Sequence, residues 1–172
     1  MSCVDATSGP RRISWRRLLV GVAALAAALG LKATSEALHR YRFAFNETES
    51  LPYWAFLADQ GDRVPQRGEL VVFLPPKTRF YPQGMAFGKI VGGVPGDLVE
   101  ARGRSFYVAG RYIGEAKTHS QDGQPAPMGP VGRIPQGHYF LYTPHKDSLD
   151  SRYSMIGWVP QRQILGVAKG IM

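Results

Sequence analysis

Three short segments hold residue types that could do chemistry together. Ser50 lies in Asn46-Glu47-Thr48-Glu49-Ser50-Leu51-Pro52, and Lys89 opens Lys89-Ile90-Val91-Gly92-Gly93-Val94-Pro95-Gly96-Asp97. A third, polar segment is Ser148-Leu149-Asp150-Ser151-Arg152-Tyr153. A serine hydroxyl is a weak nucleophile at neutral pH and needs a base beside it. A lysine amine is such a base only when neutral, so desolvation must draw its pKa several units below about 10.4. Lys89 is flanked by Phe87-Gly88 and Ile90-Val91, an apolar setting able to bury an amine. Taken singly, each residue also fits a plainer role, a turn serine and a solvated strand-edge lysine.

Other catalytic signatures are missing from the sequence. It has no G-x-S-x-G elbow, no H-E-x-x-H and no phosphate-cradling G-x-x-x-x-G-K-[ST]. His39, His119, His138 and His145 are scattered without ligand spacing, and Cys3 is the only cysteine. No disulfide, C-x-x-C pair or thiolate cluster can be built from one thiol. Neither a metal nor a cofactor is expected.

The elements that must position these groups are mostly short strands. Of 172 residues, 20 are glycine and 13 proline, which favours turns over long helices. Tyr41 to Phe45 could enter a strand. Residues 68–75 read as an apolar strand closed by Pro75-Pro76, and 89–101 as strand, Gly/Pro turn, strand. Residues 105–113 form a hairpin about Ala109-Gly110. HYFLY at 138–142 and ILGVAKGIM at the C-terminus add two strands. Residues 118–137, with four prolines and four glycines, read as a loop that need not be ordered. The fold class is mainly β, an antiparallel sheet domain on one N-terminal transmembrane helix.

That helix is marked by charge as much as by hydropathy. Leu18 to Leu31 holds no charged residue, and it can lengthen through Lys32 if that side chain snorkels. Arg11, Arg12, Arg16 and Arg17 precede the run. Residues 1–40 hold six basic and two acidic residues, half of the net +8. This is a positive-inside signal rather than a basic face for nucleic acid, which is not expected as a partner. The expected organisation is a cytoplasmic basic segment at 1–17, a membrane anchor or uncleaved signal at 18–36, and a periplasmic β-rich domain at 37–172. A cleaved export signal would share the basic and apolar regions.

Together the three segments, in this order behind a positive-inside helix, resemble the type I signal peptidase family. The form T-x-S-L-P is most similar to the TraF-type peptidases of conjugative-transfer systems, which mature and in some cases cyclise pilins. The resemblance implies that Ser50 is the nucleophile, forming an acyl-enzyme, and Lys89 the general base. It places an oxyanion-binding hydroxyl at Thr48, which equally fits an ordinary loop threonine. It gives supporting roles to Ser148, as hydrogen-bond partner of the lysine, and to Asp150, paired with Arg152; Asp150 is either structural or part of the catalytic set. Implied partners are a membrane-associated precursor such as a pilin, the inner membrane and other transfer proteins. The sequence departs from the family in three places. Tyr142-Thr143-Pro144 stands where Gly-Asp-Asn is usual, Ile90 where an arginine often follows the lysine, and Tyr53-Trp54 where a small residue follows Ser-Leu-Pro. These favour a dedicated substrate over general leader cleavage. The rival readings are a general leader peptidase and a non-catalytic anchored β-domain of an envelope assembly complex.

Overall fold

A computed structural model of the chain describes residues 15–46, 50–78 and 80–172. Thr48 and most of the basic 1–17 segment lie outside the described residues.

Helix α1 spans Trp15–Arg40. Its alanines and leucines are strong helix formers, and over Leu18 to Leu31 its apolar residues leave no polar face, as in a helix solvated by lipid. The helix runs past the expected 18–36 in both directions. Lys32 and Glu36 pair at 3.8 Å along one face, and Thr34 Oγ1 donates to Gly30 O at 2.6 Å, so these polar groups are satisfied within the helix. The stretch Leu18–Arg40, 23 residues of mean hydropathy 1.8 within its most apolar window, is long and apolar enough to cross a bilayer. It is a candidate membrane anchor. The chain divides between Leu38 and His39 into this helical unit and a β unit.

The β unit contains β1 (Tyr41–Phe45), β2 (Ala55–Asp59), β3 (Leu70–Phe73), β4 (Phe87–Gly93), β5 (Leu98–Arg102) and β6 (Ser105–Val108). It continues with β7 (Arg111–Glu115), β8 (Gly132–Arg133), β9 (His138–Tyr142), β10 (Val159–Pro160) and β11 (Ile164–Ile171). Every pairing of these strands is antiparallel. Seven strands form one sheet in the order β1-β2-β11-β3-β4-β9-β10, and four form a second in the order β7-β6-β5-β8. The fold is thus mainly antiparallel β behind one N-terminal apolar helix. β2 was not among the strands expected, because AFLAD lacks the β-branched residues that mark β3.

Alternation along the strands creates the core. On β4, Phe87, Lys89 and Val91 are buried while Gly88 and Ile90 are half-buried on the opposite face. Phe87 and Val91 join Val71, Phe73, Leu141 and Ile164 in the main-sheet core. On the other face, Leu51, Phe56 and Val72 pack with Ile90 partly buried beside them. Val99, Phe106, Val108 and Phe140 make a third cluster under the smaller sheet. The β6–β7 hairpin turns through Ala109 and Gly110, both left-handed at φ 47° and 75°, the twist a two-residue hairpin needs.

The Pro/Gly-rich stretch is more ordered than its composition suggests. Ser120 N donates to Gln124 O at 2.8 Å and Ala126 N to Thr118 O at 2.9 Å, closing a small hairpin. Arg104 holds its base by donating to the carbonyls of Ala116, Lys117 and Ala126. Met128 bridges to Tyr153, and Gly129 N donates to Arg152 O at 2.7 Å. A distant arginine supplies the contacts, so local composition gave no sign of them.

Candidate active site

Lys89 owes its position to the register of β4. Because side chains alternate with period two, a lysine between two core residues must share their face. Its neighbour across the strand pair is Val71, itself fully buried. The amine passes over the Phe87 ring at 5.6 Å from the centroid and donates to Ser148 Oγ at 2.7 Å. Only 4% of Lys89 is exposed. Burial draws its pKa from 10.5 down to about 8; the negative charge of Asp150 pulls it back up and the positive charge of Arg152 pushes it further down. The result is an amine that loses its proton near pH 8 rather than above 10.

Ser148 belongs to a turn stitched to the end of β9. Ser151 N donates to Leu141 O at 2.9 Å, and Leu141 N returns a bond to Ser151 Oγ at 2.9 Å. Thr143 N donates to Asp150 Oδ2 at 3.3 Å. Arg152 grips Asp150 twice, Nε to Oδ1 at 2.9 Å and Nη2 to Oδ2 at 2.8 Å. Nη1 also donates to Glu115 O at 3.2 Å, and Nη2 lies within hydrogen-bond distance of the carbonyls of Thr143 and His145. An extended segment would also allow this pair, but the structure makes it within a turn, where Arg152 N additionally donates to Asp150 Oδ1 at 3.1 Å. Burial lowers the Arg152 pKa, but the bond and charge of Asp150 outweigh it and leave the guanidinium above its ordinary value.

Ser50 lies in a turn that follows β1. The loop is closed from within: Asn46 N donates to Trp54 O at 2.9 Å, and Asn46 Nδ2 to Leu51 O and Tyr53 O at 3.1 and 2.6 Å. Leu51, 5% exposed, anchors the chain immediately after the serine. Asn46 had no role in the sequence reading. Its only signal was an asparagine beside a turn, a residue that readily bonds nearby backbone.

Ser50, Lys89 and Ser148 line one cavity of about 470 Å³, together with Tyr81, Met85 and Leu149. Asp150 and Arg152 are absent from that lining and stand behind Ser148, while Thr48 falls outside the described residues. Gly114 was also missed. Its φ is +148°, and a Cβ there would come within 2.7 Å of Arg152 Nη1, so a side chain would push the guanidinium away. Among the described residues no cluster of His, Cys, Asp or Glu could hold a metal. The arrangement offers a hydroxyl and a low-pKa amine in a half-apolar pocket, the parts needed for serine–lysine acyl transfer.

The chain is similar to known proteins over nearly all its length. The family model "Signal peptidase, peptidase S26" matches residues 14–172. A protein described as a probable conjugal transfer protein TraF, from Sinorhizobium fredii, is 32% identical over 98% of this chain and 95% of its own. A probable signal peptidase I-1 from Synechocystis is 29% identical over 74% of this chain and 71% of its own. A solved signal peptidase I from Enterococcus faecalis aligns with 61% of this chain and 97% of its own, at 25% identity and TM-score 0.41. The chain therefore belongs to the signal peptidase family, peptidase S26.

Proposed function

We propose that this chain is a membrane-anchored serine–lysine endopeptidase that cleaves an exported precursor, a conjugative pilin being the substrate class its TraF relatives suggest. One observation carries the reading. Lys89 is buried, bonded to a neutral hydroxyl and drawn to a pKa of about 8, and it lines the same cavity as Ser50. In this mechanism Lys89 takes the proton of Ser50 as Oγ attacks the scissile carbonyl. The oxyanion is held by the Ser50 N–H and the Thr48 hydroxyl. Collapse expels the leaving amine, which receives the proton from Lys89, and an acyl-enzyme remains.

Ser148 orients the amine without adding a charge that would hold its proton, and Asp150 with Arg152 fixes Ser148. Residues 1–17 face the cytoplasm, 18–36 form the anchor and 37–172 the periplasmic domain, in keeping with the arginines before Leu18. The acyl-enzyme is then resolved by water or by the substrate's own N-terminal amine. Incubating the purified full chain with a pilin precursor and weighing the product tests the reading. Cleavage that disappears in Ser50→Ala supports it, and a cyclic product is lighter than the linear one by one water. A precursor left intact by the parent protein overturns it.

A further inference from the structure

A buried polar group without a hydrogen-bond partner is costly, and a folded chain keeps few of them without a reason. Among the described residues three side-chain atoms are so placed, Thr78 Oγ1, Thr143 Oγ1 and Trp158 Nε1. Thr78 and Trp158 belong to residues that reach the surface, where a small shift meets water. Thr143 does not, at 0% exposure. Its main chain is held on both sides, the N–H donating to Asp150 Oδ2 and the carbonyl accepting from Arg152 Nη2 at 3.4 Å. The ion pair that stands behind Ser148 thus also keeps this hydroxyl inside.

Strand pairing tells what the hydroxyl faces. β4 and β9 run antiparallel, with Ile90 opposite Tyr142 and Val91 opposite Leu141. Leu141 turns both its N–H and its carbonyl toward Ser151, and Thr143 turns both of its own toward Asp150 and Arg152. A repeat of two is that of extended backbone, so the register carries one step further and sets Thr143 opposite Lys89. Both belong to a pair without ladder bonds between them, the kind in which opposed side chains lie closest on one face. On its other side Lys89 is opposed by Val71 of β3, which has no polar side-chain atom. The charged groups that act on the amine are Asp150 and Arg152, and these are bonded to each other.

A count of hydrogens gives the hydroxyl its task. If Lys89 is the base, which this inference takes from the proposed function, it becomes an ammonium with three hydrogens in each turnover. Ser148 Oγ accepts one. Ser50 Oγ, and after it the leaving nitrogen, takes the second. We propose that Thr143 is a positioning residue whose hydroxyl accepts the third, so that its idle oxygen is filled only while Lys89 carries a proton. The resting fold is then destabilised by one unused hydroxyl, and the transition state relieves it. A neutral acceptor suits this role, because a carboxylate in its place would hold the proton on the amine.

Thr143→Val removes the hydroxyl and keeps the branched shape. The full chain in detergent, carrying ¹³C-labelled lysine, gives the titration midpoint of Lys89 by NMR, with Lys89→Met assigning the signal. The valine variant should unfold at the same urea concentration as the parent or a higher one, since the resting state loses no hydrogen bond. Its Lys89 midpoint should lie about one pH unit lower. The high-pH plateau of kcat/KM toward a synthetic peptide ester ending in alanine should fall about tenfold, the same free energy read a second way. Thr143→Ser should keep both values. An unshifted midpoint in the valine variant, or a serine variant that behaves like valine, overturns the role of Thr143, whatever happens to stability. A parent protein inert toward the ester, with a midpoint that still moves in the valine variant, overturns the Ser50–Lys89 reading and leaves the Thr143 contact standing.

Discussion

Lys89 and Arg152 are cations buried almost equally, at 4% and 2% exposure, in neighbouring parts of the same unit. Burial opposes charge at both, yet their pKa values move in opposite directions. Arg152 meets a carboxylate through two bonds and three carbonyls besides, so its charge is compensated. Lys89 meets one hydroxyl, a phenyl ring and a valine. A paired buried charge is structural, and an unpaired one is ready to leave.

Making the two cations alike should have the largest effect. In Lys89→Arg a guanidinium that keeps its proton replaces the base, and processing should fall by about 10⁴-fold or more, as in Lys89→Ala and Ser50→Ala. Product mass against time on refolded-competent protein measures this, and appreciable cleavage by Lys89→Arg would show the amine is not the base.

Breaking the paired cation should affect stability before chemistry. Arg152→Met leaves Asp150 buried without its partner and should cost about 3–5 kcal/mol in urea unfolding, while Asp150→Leu with Arg152→Met should regain much of it. A single variant as stable as the parent would mean the pair is not structural.

Replacing a neutral donor comes next. Thr48→Val keeps the branched shape and should lower kcat by about 10²–10³-fold with KM little changed, whereas Thr48→Ser should retain most of the rate. An undiminished rate in the valine variant places the second oxyanion donor elsewhere.

The smallest effect is a titration. With its pKa at about 8, Lys89 is neutral in roughly a tenth of molecules at pH 7, so the rate should climb about tenfold through pH 8 and level off. The folded pKa lies below the unfolded one, so the unfolded chain binds more protons between the two values. Stability should therefore rise from pH 8 toward 10.5 and carry its full penalty below 8. A rate that rises only near pH 10 would describe a solvated lysine.

Much of this contrast was legible in the sequence where local pattern decides. The apolar flanks of Lys89 read as a setting able to bury its amine, and Gly-Pro punctuation marked the turn between β4 and β5. β9 coincides with HYFLY, and β6–β7 with the expected hairpin. Less could be read where a distant group decides. Arg104 orders residues 117–126 from twelve or more positions away. The need for Gly114 arises from Arg152, on another element. The joining of β11 to β2 and β3 depends on pairings across most of the chain, which no local window contains.

β11 also bears on timing. It lies between β2 and β3, with the Ser50 turn on the β1–β2 side and Lys89 on the β4 side. Every other strand precedes it in the chain. If the β unit is exported N-to-C, as the proposed topology has it, the strand that joins the two halves of the large sheet is the last to cross the membrane. A nascent chain stalled before residues 164–171 already carries hydroxyl and amine, yet lacks the strand that pairs with both β2 and β3. On the proposed function, the order of the strands would then delay proteolysis until export is nearly done.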